Sequence, residues 1–436
     1  MSITSLNVQL EQDKTHWYAG HLLALGAISG AVVAYAGWTG AAVLVVCALL
    51  VRWPVQVALG SFALLLPFDS VSAIGGEPTG AALTRFVGAF AGLVLLFVGL
   101  ISKRLSLPRR PALWWSLFIL WGVATLGWAA NSQFAFDRLP TALSLWLLYV
   151  IATAFRINEE EMRVVLVLAV LGGCVAAVMS VHEFYSGTFY LQSTRSSLML
   201  GNRDTDPNQF GASLLLPLSL TIGAVVQGRG RTLRACAMLA IATLSLALLL
   251  SMSRGALVAG LTVIVVYTWR LGFNRRIALA IVLLAALLLL MPQAFFARLG
   301  LSDRGAGRVD IWTGSMDLVP RYGLFGAGWN NFIVAYSGIA GHAASFRGFT
   351  RGSHSIYVGM LIEVGAVGLM FLLLAFRSQL REGKTRELLP YAAACWAMVV
   401  MGITLDVVWR KSFWFAWIIL AMAARLHESK KPAVAA

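Results

Sequence analysis

Arginine and histidine side chains in the second half of the chain carry its clearest chemical signal. Arg254 lies between two apolar runs, Arg308 opens a short amphipathic stretch, and His354 precedes another apolar run. A guanidinium presents a fixed fork of donors that suits phosphate groups. An imidazole exchanges a proton near neutral pH. These residue types predict a site that holds an anionic diphosphate and moves a proton.

The segment 292–353 around Arg308 is basic in an unusual way. It holds six arginines, no lysine and three aspartates. An arginine-only set favours phosphate recognition, and solvated arginines paired with the aspartates are the alternative. The candidate substrate-binding residues are Arg203, Arg254, Arg308, Arg347, Arg351 and Trp312. Other aromatic residues in this segment are expected either to stack on sugars or to anchor the segment in the membrane interface. The interface role is the expected one for most of them. They are Trp329, Phe332, Phe346 and Phe349.

Composition dictates the kind of element that must position these residues. Of 436 residues, 59% are hydrophobic and only 12% are charged, whereas an average soluble domain has about 25% charged residues. The apolar runs are continuous, which excludes a β-barrel with its alternating strands. We therefore expect an all-α polytopic bundle of transmembrane helices.

The apolar runs predict about 12 spans, or 14 if two short runs at residues 41–51 and 55–68 also cross. The predicted spans are His16–Tyr35, Ala81–Ile101, Ala112–Ala130, Ala142–Ala154, Met162–Val181, Phe210–Val226, Leu233–Met252, Ala256–Trp269, Ile277–Met291, Ile356–Phe376, Leu389–Thr404 and Phe413–Ala424. We expect residues 1–436 to form a single membrane domain.

The distribution of basic residues predicts the orientation of these spans. The short connections between successive spans are alternately more basic and less basic. By the positive-inside rule, we expect both termini in the cytoplasm. Two segments predicted outside are too long for turns, 183–206 and 292–353. We expect the second to contain short helices and to form a lid over the active site, or to lie on the membrane interface.

Several classes of function find no support in the sequence. The net charge of +15 fits the positive-inside bias, so nucleic acid is not a predicted partner. There is no HExxH, GxSxG or Walker pattern, and ATP is not a predicted ligand. The four cysteines lie in apolar runs without paired spacing, which indicates neither a disulfide nor a metal site. No cleavable signal peptide precedes the first apolar run.

Three segments together resemble the O-antigen ligase and polymerase superfamily. The first is Ser253-Arg254-Gly255. The second is Arg308-x-x-x-Trp312 followed by Pro320 and the segment 323–332, GLFGAGWNNF. The third is His354-Ser355, nine residues, then Gly365-x-x-Gly368, which is similar to the ligase signature. The likeness covers roughly residues 202–370.

The resemblance implies an integral-membrane (GT-C-like), metal-independent, inverting glycosyltransferase with no cofactor. Such an enzyme moves O-antigen polysaccharide from undecaprenyl diphosphate to lipid A–core at the periplasmic face of a Gram-negative inner membrane. By motif match, His354 is the catalytic base, and Arg254 and Arg308 stabilise the leaving diphosphate.

Other functions stay open at this stage. An O-antigen or exopolysaccharide polymerase and a protein-glycosylating oligosaccharyltransferase are the relatives of the ligase. A membrane transporter is the alternative from another class, and Glu363 is the one acid that the predicted spans place near mid-membrane.

Overall fold

The computed structural model of the protein describes residues 45, 48–74, 81–186, 195–200, 203–228, 230–273, 275–276, 278, 281–282, 286, 307–340 and 352–430. The predicted span His16–Tyr35 lies outside the described residues, and so does most of residues 41–51 and of Ile277–Met291.

The chain separates into two compact units, residues 1–57 and 58–436. In the first unit, the described residues 48–52 and 54–57 are helical. In the second unit, the described residues are predominantly helical, and the candidate site lies within it.

The described helices are α1 Pro54–Leu65, α2 Leu83–Ile101, α3 Arg110–Ala124, α4 Ser132–Ala154, α5 Glu159–Tyr185, α6 Pro207–Gln227, α7 Arg231–Leu250, α8 Arg254–Leu271, α9 Arg308–Met316, α10 Val319–Tyr322, α11 Phe332–Ala340, α12 Ile356–Glu363, α13 Gly365–Glu382, α14 Leu389–Met401 and α15 Lys411–Ser429. Short 3₁₀ turns, Leu66–Phe68 and Thr125–Trp128, extend α1 and α3.

Two antiparallel strand pairs lie in connections between helices. Strands β1 (Ala73–Ile74) and β2 (Ala81–Ala82) precede α2. Strands β3 (Met199–Leu200) and β4 (Arg203–Asp204) precede α6, with Met199 opposite Asp204 and Leu200 opposite Arg203.

Seven of the described helices are long and apolar enough to cross a membrane. They are α2, α3 with its 3₁₀ extension, α4, α5, α6, α7 and α8. This confirms the prediction of an all-α, multi-pass membrane protein, whereas the total number of spans stays a prediction. Local signals set several helix starts: Asn158 and Glu161 form a capping box at α5, and Asp206 accepts from the backbone N–H groups of Asn208 and Gln209 at α6.

Two predicted boundaries were wrong. The connection expected at residues 131–138 is mostly helix, because α4 begins at Ser132 with Asn131 as its cap. The span predicted as Ile356–Phe376 is broken at Val364 into α12 and α13. Hydropathy misses this break because Val364 is as apolar as its neighbours, and the interruption comes from tertiary contacts described below.

The core of the second unit is rich in aromatic residues. Trp115 on α3 lies against Tyr149 on α4, Phe376 on α13, and Trp414 and Trp417 on α15, with ring centroids 4.8–5.8 Å apart. The buried Gln379 accepts hydrogen bonds there from Trp115 Nε1 (2.8 Å) and Tyr149 Oη (2.9 Å). Four helices are thus joined around one polar side chain.

The described part of the segment 292–353 contains short helices, α9 to α11. The amphipathic stretch expected at Arg308–Val319 ends as a helix at Met316, and Met316 is exposed. Ile311 packs into a small core with Phe332 and Ile362, so α9 and α11 rest on α12. Whether this segment forms a lid or an interface helix stays a prediction.

Candidate functional site

Arg254 lies in a tight turn between α7 and α8. The turn passes through Met252 with φ +47°, and Ser253 caps α8 by accepting from Ala256 N at 3.3 Å. A Cβ atom on Gly255 would lie only 1.9 Å from Thr404 Oγ1. Glycine therefore lets the start of α8 approach the loop between α14 and α15 (residues 402–410), which we call the α14–α15 loop.

A second arginine, Arg195, is bonded to the same turn. Its Nε donates to the Ser251 carbonyl at 3.0 Å, and one terminal nitrogen donates to Asn208 Oδ1 at 3.0 Å. The Ser253 hydroxyl donates to that same oxygen at 2.8 Å. The start of α6, the connection before it and the Arg254 turn are thus tied together, with two guanidinium groups on neighbouring segments.

His354 precedes α12 and is exposed, in contrast to the buried serines on either side. Its backbone lies in the left-handed region with φ +48°. The Ser353 hydroxyl donates to the Ser355 carbonyl at 2.9 Å, and Ser355 caps α12. The next residue, Ile356, donates its N–H to the Gly402 carbonyl at 2.8 Å. His354 is therefore also held against the α14–α15 loop.

Arg308 opens α9, one helical turn before Trp312. Trp312 Nε1 donates to the Ser353 carbonyl at 3.0 Å, directly before His354. Residues four apart lie on one helix face, so Arg308 lies on the face of α9 that carries this contact.

The three predicted catalytic residues therefore lie on segments joined by direct contacts. The Arg254 turn and the His354 segment both contact the α14–α15 loop, at Thr404 and Gly402. The Arg308 helix contacts the His354 segment through Trp312. Arg254 and Arg308 are half-buried and His354 is exposed, an arrangement suited to groups that meet a substrate.

The glycine-rich segment 323–328 packs on the break between α12 and α13. Ala327 N and Gly328 N donate to the carbonyls of Ile362 and Glu363 at 2.7 and 2.9 Å, and Ala366 N donates to the Gly323 carbonyl at 2.8 Å. We call this set of backbone bonds the glycine clasp. Gly326 and Gly365 have φ of +87° and +70°, and a Cβ on either would lie 2.2 Å from a backbone oxygen.

Gly365, Gly368 and Glu363 each have a structural role at or next to the clasp. Gly365 serves contact between backbones, whereas Gly368 faces the Trp121 ring of α3 and does serve helix packing. Glu363 lies at the end of α12, where its Oε2 accepts from Asn330 N at 3.0 Å, so it anchors a loop.

Charged residues on the α14–α15 loop add to the electrostatics of this end of the bundle. Trp409 Nε1 donates to Asp406 Oδ2 at 3.1 Å, whereas no described residue forms a hydrogen bond with the buried atoms Asp406 Oδ1 and Arg410 Nε. Burial raises the pKa of Asp406 to about 6 despite the nearby Arg410 and Arg138 guanidinium groups. Burial also lowers the pKa of Arg410.

Some predicted residues are placed elsewhere or not described. Arg203 lies in β4, and the structure does not describe its side chain; Arg347 and Arg351 lie outside the described residues. Trp329 is buried between Phe118 and Trp409, and Phe332 is buried against Tyr336, so the expectation that these rings stack on sugars or anchor in the interface was wrong. Among the described residues, no group of three or more His, Cys, Asp or Glu side chains is arranged to hold a metal ion.

Sequence reasoning missed the α14–α15 loop entirely. Asp406 and Arg410 carry no motif, and Arg195 lay in a crowded segment with no assigned role. The sequence does contain one signal that could have identified this loop, a charged connection between two strongly apolar helices. Charges at the membrane edge need a partner.

Residues 239–373 match the model of a protein family described as O-antigen ligase. The matched segment includes Arg254, Arg308, His354 and the glycine clasp. Over this segment, about a third of its length, the chain is similar to the O-antigen ligase family. Members of this family are membrane ligases resembling glycosyltransferases, and their substrates are in general polysaccharides and lipid-linked. No curated protein matches the chain significantly.

Proposed function

We propose that the protein transfers O-antigen polysaccharide from undecaprenyl diphosphate to lipid A–core oligosaccharide. The observation that carries this proposal is the joining of the Arg254, Arg308 and His354 segments by direct contacts around the α14–α15 loop. Because residues 239–373 are similar to a family of ligases, these contacts support a site that uses two guanidinium groups and an exposed imidazole.

The reaction makes one bond and breaks one bond at the anomeric carbon of the donor. A hydroxyl of the acceptor attacks this carbon, while the bond from the carbon to the phosphate oxygen breaks. His354 accepts the proton of the attacking hydroxyl. Attack from the side opposite the leaving group inverts the configuration.

The leaving undecaprenyl diphosphate gains negative charge as the bond breaks. Arg254 and Arg308 stabilise this charge through donors already fixed in place, a contribution of about 3–4 kcal/mol for each arginine, by analogy with an oxyanion-hole donor. Two guanidinium groups take the place of a divalent ion, so the transfer is metal-independent. Arg203, Arg347 and Arg351 supply further contacts to the anionic donor, and Trp312 orients the His354 segment.

The proposed substrates and the distribution of basic residues indicate the location and orientation of the protein. The protein resides in the inner membrane of a Gram-negative bacterium, with both termini in the cytoplasm and the site at the periplasmic face. The arrangement also suits a polymerase, which takes a second lipid-linked glycan as acceptor. Glu363, the acid that a transporter would use, accepts from Asn330 N and so has a structural partner, which favours transfer over transport.

The test is a lipopolysaccharide gel of a strain lacking the gene and complemented with variants. Without the gene, we expect core-only lipid A and accumulation of lipid-linked polymer. His354→Ala and Arg254→Lys should both fail to restore the O-antigen ladder; lysine keeps the charge but lacks the bidentate fork. Membrane levels of each variant are measured by immunoblotting.

The matched controls are His427→Ala on α15 and Arg163→Lys on α5, which change the same residue types away from the site segments. Both should restore the ladder. Lipid A–core bearing a single repeat unit in the deletion strain would assign the chain as a polymerase instead. A full ladder with His354→Ala would remove the proposed base.

A further inference from the structure

A groove lies between α8, α13 and α14, near the ends of these helices remote from the Arg254 turn. It has a volume of about 450 Å³, within the roughly 300–1,000 Å³ typical of ligand pockets. Its apolar wall includes Val266 on α8, Leu373 and Leu380 on α13, and Leu389 and Val399 on α14.

One end of the groove is strongly cationic. Arg270, Arg377, Arg381 and Lys384 line it, and its described lining includes no aspartate or glutamate. The nearest acid in sequence, Glu382, is engaged by Arg109 at 2.7 Å. The Arg270 guanidinium donates to the Lys384 carbonyl, which joins α8 to the end of α13. The groove therefore changes along its length from apolar to uniformly positive.

Aromatic residues flank this change in polarity. Trp269 and Trp396 both line the groove and are 71% and 36% exposed. The Arg270 guanidinium lies 5.7 Å from the centroid of the Trp269 ring. Tryptophan favours the headgroup level of a membrane, where one side of the ring is apolar and the other is wet.

We infer that this groove binds an anionic phospholipid. An acyl chain lies along the apolar wall, and the phosphate group meets the arginine and lysine side chains. Basic pockets between transmembrane helices recognise anionic headgroups in this way, and a neutral headgroup would offer no net negative charge to the four cations that line the groove. Because the groove lies at the ends of α8 and α13 remote from Arg254 and Gly365, this lipid is distinct from the substrates of the proposed transfer.

Native mass spectrometry of the purified full chain tests this inference. The protein is equilibrated with equal amounts of phosphatidylglycerol and phosphatidylcholine in detergent, and the retained lipid is identified. We expect wild-type protein to retain phosphatidylglycerol preferentially. The combined variant Arg377→Gln, Arg381→Gln and Lys384→Gln should weaken this retention roughly tenfold or more, because each cation contributes to headgroup attraction.

The matched control is the combined variant Arg110→Gln, Arg163→Gln and Arg231→Gln. It removes the same charge from exposed residues at helix starts that do not line the groove, and it should retain phosphatidylglycerol as wild type does. Equal weakening in both variants would mean ordinary surface attraction and would overturn the inference.

A second variant tests the apolar part of the groove without changing charge. Leu380→Trp fills the space beside the cationic end, and its folding is checked by a single symmetrical gel-filtration peak. We expect it to lose retained phosphatidylglycerol. Unchanged retention in Leu380→Trp would contradict the inference, as would wild-type protein that retains no phosphatidylglycerol.

Discussion

His354 combines exposure with a backbone that few non-glycine residues adopt. Its φ of +48° lies in the left-handed region, which costs free energy and persists only where surrounding contacts fix it. The contacts that fix it are the Trp312 bond to the Ser353 carbonyl and the Ile356 bond to the Gly402 carbonyl. At this scale His354, the proposed base, is positioned by its neighbours.

Replacing Trp312 by phenylalanine tests that positioning. Trp312→Phe keeps an aromatic ring but removes the N–H that donates to the Ser353 carbonyl. We expect kcat for glycan transfer to fall several-fold, KM for the lipid-linked donor to change little, and the free energy of unfolding to fall by about 1 kcal/mol. Steady-state kinetics in detergent measure this, with Trp53→Phe at an exposed tryptophan outside the site segments as control; an unchanged kcat in Trp312→Phe would exclude a positioning role.

Because Asp406 is buried, we expect the free energy of unfolding to depend on pH. Its pKa is raised from the ordinary value of 3.8 to about 6 by burial, so the folded protein binds more protons than the unfolded chain between these values. The contribution of Asp406 to the free energy of unfolding is therefore greatest below about pH 4. This contribution is lost as the pH rises through about 6. The loss is up to about 3 kcal/mol.

Melting temperatures of wild type and Asp406→Asn between pH 4 and 8 check this expectation. The melting temperature of the variant should rise relative to that of wild type as the pH increases through this range. Arg410, Arg138 and Glu363 contribute to the electrostatics around Asp406 in both proteins. A difference independent of pH would show that Asp406 does not titrate in this range.

At the scale of elements, the glycine clasp joins two segments that sequence analysis treated as separate motifs. Its bonds run between backbone groups about 35–45 residues apart, and they interrupt what hydropathy predicts as one continuous helix. The clasp fixes the end of α12, whose beginning carries His354.

Gly326→Ala should open the clasp. The new Cβ would lie 2.2 Å from the Glu363 carbonyl oxygen, at a φ of +87° that disfavours alanine. We expect the free energy of unfolding to fall by at least about 2 kcal/mol, measured by thermal or denaturant unfolding in detergent. Gly338→Ala is the control, since a Cβ there meets nothing within 4 Å and α11 favours alanine; equal effects of the two would contradict a special role of the clasp.

Sequence patterns predicted those features that depend on nearby residues. The apolar runs located α2 and α5 to within a few residues. Motif spacing predicted Arg254, Arg308 and His354 as one site, and the structure joins the segments that carry them. These features depend on windows of about 20 residues or on short spacings.

Contacts between distant residues were not predictable from such patterns. Asn331 donates to the Asn131 carbonyl and accepts from Asn131 N, across 200 residues. Arg195 meets Asn208 and Ser251, and the α14–α15 loop meets two motif segments. Nothing in local hydropathy or charge specifies which distant segment a polar group will satisfy, so the break at Val364 and the role of Asp406 were missed.

At the scale of the whole molecule, one buried amide links four helices. Gln379 on α13 accepts from Trp115 on α3 and Tyr149 on α4, and its Nε2 donates to the Trp417 carbonyl on α15. Its side chain is fully buried among the aromatic rings of the core. Polar groups inside an apolar bundle are stabilising only while every partner is satisfied.

Gln379→Leu should destabilise the bundle without changing the site. The variant leaves the Trp115 N–H and the Tyr149 hydroxyl without their acceptor, at about 1–3 kcal/mol for each buried group. We expect a lower melting temperature but normal glycan transfer at low temperature. Gln227→Leu, at the edge of the bundle, should have a smaller effect; a melting temperature of Gln379→Leu equal to that of wild type would show that the amide network adds nothing.

The α14–α15 loop also has a consequence for how a newly made chain matures. The segments carrying Arg254, Arg308 and His354 all leave the ribosome before residues 402–410, yet two of them contact this loop in the finished structure. An incomplete chain can insert most of its helices and still lack the surface on which these segments meet. Assembly of the candidate site is therefore delayed until the α14–α15 hairpin has entered the membrane, because a chain without residues 402–410 lacks the surface that joins the Arg254 turn to the His354 segment.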